Sequence, residues 1–266
     1  MATRVRVAVL GVGSLGQQHA RIYAEMHRQE AVELVGVYDT DPAQAKAIAE
    51  KHDTTALGSI EAAAAAADAL SIVTPTVTHH TLAKPLLELG KHLLVEKPMT
   101  DNAAQAAELV SLAKRHDCVL QVGHIERFNP VFNYLQQAAR EPRFIESHRL
   151  SPFPARSMDI GVVLDLMIHD LDIVLAFVRS PVEHVDAAGV RVLSESEDIA
   201  NARLRFSNGC VANLTVSRVS PESLRKIRVF SGGDEPGYVS LDYREQKGYH
   251  YRLARDDEQE SSILKK

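Results

Sequence analysis

The first sixteen residues limit what this chain can fold into more than any other stretch. An apolar run at residues 5–10 passes directly into Gly11-Val12-Gly13-Ser14-Leu15-Gly16, and residues 15–28 then carry helical periodicity. A continuous β-branched run of this kind is a strand buried on both faces. A G-x-G-x-x-G turn between such a strand and a helix is the context in which the motif binds a dinucleotide. The first glycine permits the tight turn and the second lets a pyrophosphate reach the backbone. The third lets helix and strand pack closely, and the helix N-terminus faces the phosphates. Gly11, Gly13, Ser14, Leu15 and Gly16 are therefore candidate cofactor-binding residues. Asp39 ends a second strand at 33–38. It lies roughly 20 residues beyond the motif, where a carboxylate holds the adenosine ribose hydroxyls. Asp39 and Asp41 have no Arg between them. A 2′-phosphate would meet two negative charges there, so the expected cofactor is NAD and not NADP. The bland alternative is a glycine turn in an α/β protein that binds no nucleotide, with Asp39 as a surface cap.

The texture of the chain changes near its middle. Residues 69–73, 92–95 and 119–122 read as further strands. Residues 42–52, 79–89 and 102–116 read as helices between them, the first opened by the cap pair Asp41-Pro42. The alanine run at 62–67 reads as one more helix. Strands spaced by helices indicate βαβ units and a parallel sheet. Beyond Gly123, helices are expected at 128–140 and 163–177. Strands then follow one another at 185–192, 199–206, 209–217, 224–231 and 238–242, with hairpin signals at Ser207-Asn208-Gly209 and Ser231-Gly232-Gly233-Asp234. The expected fold is α/β. A Rossmann dinucleotide-binding domain occupies 1–122, and an α+β domain with a largely antiparallel open sheet occupies 123–266. Few helices remain to cover one face of that second sheet. An exposed open sheet needs a cover, so a homodimer or homotetramer is expected.

Bulk properties exclude several classes. Thirty Lys+Arg against 35 Asp+Glu give a net charge of -5, on the wrong side of zero for a basic nucleic-acid binder. Two cysteines without a CxxC exclude a disulfide framework or zinc ribbon and fit a reducing compartment. No metal site is expected. The N-terminal apolar stretch runs into Gln17-Gln18-His19 and reads as a strand, not a signal peptide. No run is long enough to span a membrane, so a cytoplasmic location is expected.

Three more clusters carry chemistry. Thr74-Pro75-Thr76-Val77-Thr78-His79 and Glu96-Lys97-Pro98 each follow a strand's carboxyl end, the edge where doubly wound sheets bind ligands. Thr74, Pro75, Thr76, His79, Glu96 and Lys97 are therefore candidate cofactor contacts. Taken alone, His79 also reads as a helix residue with no role, and Lys97 as a surface charge. Asp165 and His169 stand four apart on an apolar helix and share one face. They read equally as a satisfied core pair or as a functional one.

GVGSLGQQHA, TPTVTH, VEKPMT and GVVLDLMIHDLDIV occur in the order seen in the glucose–fructose oxidoreductase/inositol dehydrogenase (Gfo/Idh/MocA) family. The chain resembles that family over nearly its whole length. The resemblance implies an NAD-dependent dehydrogenase acting on CH–OH groups. It places the Lys of EKP and the Asp and His of the helix at the nicotinamide edge. Carried over, these are Lys97 for hydroxyl polarisation, His169 as general acid/base and Asp165 for orientation. A narrower resemblance lies in QVGHIERFNP and SPFPAR, which look like the branch that oxidises UDP-N-acetylglucosamine at C3 for lipid A precursor synthesis. It implies a nucleotide-sugar substrate, with His124, Arg127, Asn129, Arg156 and His169 as substrate contacts. Arg127, Arg149 and Arg156 are candidate cations for the diphosphate. The alternatives are a family member acting on inositol, a simple sugar or a biliverdin-type substrate, and a non-catalytic NAD-binding regulator. There are two departures. Met167 stands where the family often has Gly. Relatives usually continue through another strand and a closing helix, so the chain is expected to be a short variant or a truncated product.

Overall fold

The structure is a computed structural model that describes residues 4–153, 160–253 and 264–265. The chain divides into two compact units, Met1–Gly123 and His124–Lys266.

The first unit is built on five parallel strands: β1 (Val5–Leu10), β2 (Val32–Tyr38), β3 (Ala69–Ile72), β4 (His92–Val95) and β5 (Leu120–Val122). Their order is β2-β1-β3-β4-β5, every pairing parallel. Five helices join them: α1 (Gly16–Arg28), α2 (Pro42–Lys51), α3 (Ile60–Ala66), α4 (Thr76–Glu88) and α5 (Ala103–Arg115). β1 is buried on both faces from Val7 to Leu10, its unbroken apolar part. Ala8 and Leu10 pack with residues of α3, α4 and α5, while Val9 packs with Ala20, Ile48 and Ala49 of α1 and α2. Asp41 caps α2 by accepting from the Ala43 and Gln44 amides. The helix expected from residue 79 begins earlier, at Thr76, because Pro75 already supplies the turn and the Thr78 amide bonds back to its carbonyl. The winding reverses between β1 and β3, the crevice that takes ligands in open α/β sheets.

The second unit opens with a 3-10 turn (Ile125–Phe128) and α6 (Pro130–Ala138). β6 (Pro142–Leu150) follows, then a π-turn (Val163–Met167) leading into α7 (Ile168–Val178). The remaining strands are β7 (Val182–Val190), β8 (Ile199–Phe206), β9 (Val211–Ser217), β10 (Leu224–Ser231), β11 (Gly237–Asp242), β12 (Lys247–Leu253) and β13 (Leu264–Lys265). They form one sheet ordered β13-β12-β11-β10-β6-β9-β8-β7. The β6–β9 pairing is parallel and the rest are antiparallel. Both expected hairpins form, β8–β9 and β10–β11.

β6, β12 and β13 were not expected from the sequence. β6 sits in the middle of the sheet, yet its inner face carries Ile145, Ser147 and Arg149. Two polar side chains on the buried face hide the alternation that marks a strand. α6 and α7 cover that inner face around a core that includes Phe132, Leu135, Ile145, Ile173, Val174, Leu214 and Val229. Met167 is 2% exposed and belongs to the same core.

Candidate active site

The ligand edge of the first unit gathers the residues at the carboxyl ends of β1 to β4. Gly11 has φ +83°, a conformation that L side chains rarely adopt, and an added Cβ would lie 2.6 Å from the Val73 carbonyl oxygen. A Cβ on Gly16 would collide with the Gly11 carbonyl, so this glycine lets α1 pack on the turn. Gly13 has no atom within 4 Å of such a Cβ and leaves an open approach to the backbone. The loop thus has the tight turn, the close packing and the open face that a pyrophosphate needs. Leu15, at the N-cap of α1, makes no side-chain capping bond. Ser14 and Leu15 lie exposed at this entrance.

Asp39 follows β2, and its Oδ2 accepts from the Val12 amide at 2.7 Å. Its Oδ1 accepts from the Asp41 amide at 3.0 Å. The carboxylate is thereby fixed against the glycine loop, with acceptor capacity left over. At the end of β3 the Thr78 hydroxyl donates to the Pro75 carbonyl, and the Thr74 hydroxyl donates to Thr78, each at 2.7 Å. Pro75 is exposed and Thr76 is buried as the first residue of α4.

His79 needs correction as a cofactor contact. It is 1% exposed, and its ring nitrogens lie 2.9 Å from the carbonyl oxygens of Pro98 and Thr74. It ties the turn after β3 to the turn after β4 from inside.

Glu96 and Lys97 follow β4. Glu96 is 8% exposed. Its Oε2 accepts from the Lys97 amide at 3.2 Å, and its Oε1 lies 3.1 Å from His19 Nε2. The other nitrogen of His19 lies 2.9 Å from the Ser71 hydroxyl. Lys97 is half-buried beside them. His19 stood inside the GVGSLGQQHA motif with no role assigned. Its partners are 52 and 77 residues away in sequence, so no local spacing could have exposed it.

In the second unit, Asp165 lies within the π-turn and His169 in the first turn of α7, both half-buried. The loop before β8 braces the start of this segment. The Val162 amide donates to the Glu197 carbonyl at 3.0 Å, and the Val163 amide to Glu197 Oε1 at 3.3 Å. Asp198, fully buried, accepts from the Val192, Leu193 and Ser194 amides and pairs with Arg218 at 2.8 Å. Burial alone would raise the Asp198 carboxyl. The Ser194 hydroxyl, the Leu193 amide and Arg218 outweigh it and hold the group well below the usual carboxylate range.

Three of the expected substrate contacts have partners inside this unit. Asn129 caps α6 by accepting from the Val131 amide, and its Nδ2 donates to Glu126 and to the Tyr243 carbonyl. Both ends of its amide are used inside the unit. Arg149 is 3% exposed and forks onto Asp170 at 2.9 and 3.2 Å while reaching Glu126 at 3.2 Å. It is a buried strut and not a cation for a diphosphate. Arg127 is half exposed but already forks onto Asp172 at 2.7 and 2.6 Å. Its guanidinium is held there by an ion pair within the unit. His124 stands at the head of the 3-10 turn. Arg156 lies outside the described residues.

A glycine-loop Rossmann unit joined to a mostly antiparallel sheet unit defines the class, and comparison with known proteins agrees. The family described as "Oxidoreductase family, NAD-binding Rossmann fold" matches residues 5–124, and the GFO/IDH/MocA C-terminal domain matches 137–232. The chain belongs to the Gfo/Idh/MocA family of oxidoreductases and is a dehydrogenase by class. It is 40% identical over 240 residues to the UDP-N-acetylglucosamine 3-dehydrogenase of Acidithiobacillus ferrooxidans, covering 90% of this chain and 74% of that protein. A solved structure of that enzyme has a TM-score of 0.89 at 37% identity, covering 99% of this chain and 82% of that one. The scyllo-inositol 2-dehydrogenase (NAD(+)) of Bacillus subtilis is 27% identical over 242 residues, 83% of this chain and 69% of that protein. Among the described residues, no helix is long and apolar enough to cross a membrane.

Proposed function

We propose that the protein oxidises C3 of UDP-N-acetylglucosamine with NAD, giving the 3-keto sugar that amination consumes ahead of lipid A. The observation that carries this reading is the 40% identity to a UDP-N-acetylglucosamine 3-dehydrogenase over most of the chain. The residues that would hold NAD are the glycine loop with Ser14 and Leu15, Asp39, the Thr74-Pro75-Thr76 turn, and Glu96 with Lys97. When bound, NAD accepts the hydride from the sugar carbon. The ammonium of Lys97 stabilises charge developing on the hydroxyl oxygen. His169 takes the proton from that oxygen and returns it in the reverse direction. Asp165, four residues earlier, orients the imidazole or the sugar hydroxyl. His124, Arg127, Arg156 and His169 are the candidates for sugar-nucleotide contact. The reading implies a cytoplasmic enzyme, and a homodimer or homotetramer formed through the uncovered sheet face.

Two measurements test the reaction. UDP-N-acetylglucosamine carrying deuterium at C3 should react more slowly and yield deuterated NADH. Deuterium that stays in the sugar would contradict the C3 assignment. Lys97→Ala should lower kcat by about two to three orders of magnitude, and His169→Ala by about two to four. NAD affinity should fall far less than turnover, because the charge of Lys97 and the base His169 act chiefly in the transition state. Near-wild-type turnover in either variant would remove that residue from the mechanism.

A further inference from the structure

We propose that His19 is a positioning residue for the Lys97 turn and acts through Glu96; this rests on the dehydrogenase reading above. His19 sits one turn into α1, the helix opened by the glycine loop. Its side chain is 14% exposed, and Glu96 beside it is 11% exposed at the side chain. An ionised carboxylate only accepts, so His19 Nε2 donates to Glu96 Oε1 across their 3.1 Å separation. The second carboxylate oxygen accepts from the backbone N–H of Lys97. One side chain therefore links α1 to the main chain of the lysine.

The rest of the surroundings leave Glu96 little freedom. Its amide is bonded to the Ile72 carbonyl at 3.0 Å. Gly123 approaches from the other side, so closely that an added Cβ would lie 2.7 Å from Glu96 Oε1. The Gly123 amide is itself held by the Val95 carbonyl at 2.8 Å. His19 is anchored in turn by the Ser71 hydroxyl on β3, which is 1% exposed. Burial raises the phenol of Tyr23, one turn further along α1. The chain Ser71–His19–Glu96 is thus a largely buried strut that ends on the backbone of Lys97. A ring that merely packed α1 on the sheet would not need its Nε2 aimed at a carboxylate. Misplacing a catalytic group by an ångström costs about a hundredfold in rate, which is the kind of error this strut prevents.

The test uses the full chain with His19→Ala, His19→Gln, Glu96→Gln and the His19→Ala/Glu96→Gln pair. Two readouts are taken: steady-state kinetics, and hydrogen exchange at the Lys97 amide with the Val9 amide as a folding control. His19→Ala should lower kcat about 10- to 100-fold, a larger change than in the KM for sugar or the Kd for NAD. It should speed Lys97 exchange about tenfold while Val9 stays protected. His19→Gln carries an amide donor near the Nε2 position and should recover most of both losses. In the Glu96→Gln background, His19→Ala should add little, because the two residues act as one unit. Wild-type kcat and Lys97 exchange in His19→Ala would overturn the proposal. So would a loss confined to Val9 protection or NAD affinity, or full additivity in the double variant. If the wild-type protein is silent with every sugar offered, the dehydrogenase reading fails, and exchange at Lys97 still decides the role of His19.

Discussion

Asp39 uses one carboxylate for two tasks. It holds the glycine loop through the Val12 amide and, in the function proposed above, presents the charge that discriminates against a 2′-phosphate. Asp39→Ala should therefore weaken NAD binding and narrow the preference for NAD over NADP, read by titrating both reduced dinucleotides. Equal wild-type affinity for the two would contradict this role. Asp39 was legible because a strand end and a glycine motif fix its place along the chain. Arg149 was not. Its partners Asp170 and Glu126 lie 21 and 23 residues away, and an Arg read in isolation looks like a surface cation. Burial opposes its charge, but the two carboxylates outweigh burial and keep the guanidinium protonated. Arg149→Met would take the counter-charge from buried Asp170 and leave Glu126 with Arg225 at 3.9 Å. It should cost about 3–5 kcal/mol of stability, measured by denaturant unfolding, whereas a change near zero would mean that the strut carries no net stability.

Elements with a clean period were readable, and those that bury polar groups were not. β1 and α1 follow from an apolar run and a glycine turn, whereas β6 has Ser147 and Arg149 on its inner face and escapes the pattern. The segment with Asp165 and His169 was read as one helix; it begins as a π-turn, whose bonding depends on Glu197 from a distant loop. Asp198 anchors that loop and gives it a pH signature. The folded carboxyl titrates well below its unfolded value of about 3.9. On acidification the unfolded chain takes up this proton first. The stability contributed by Asp198 is therefore complete above about pH 4 and is lost as pH falls through that value towards the folded one. Asp198→Asn should lower Tm at neutral pH and shrink the gap from wild type as acid is added. Parallel Tm curves from about pH 7 to about pH 3 would contradict this.

At the scale of the whole molecule, alternation of strand and helix marked the first unit, and the loss of alternation marked the second. The uncovered sheet face remains to be accounted for. Phe144, Phe230, Tyr238 and Tyr251 form a cross-strand row on β6, β10, β11 and β12, with ring centroids 4.9 to 6.0 Å apart. Residues from Glu183 to Val190 on β7 are exposed on both faces. Light scattering at micromolar concentration should give the mass of a dimer or tetramer, and Phe230→Asp should shift it towards monomer. A monomeric wild-type chain would contradict the assembly. A nucleotide-sugar dehydrogenase is distinguished from its relatives by NADH formation with UDP-N-acetylglucosamine, free N-acetylglucosamine and myo-inositol side by side. The nucleotide sugar should show the highest kcat/KM. A higher value for the free sugar or for inositol would contradict it.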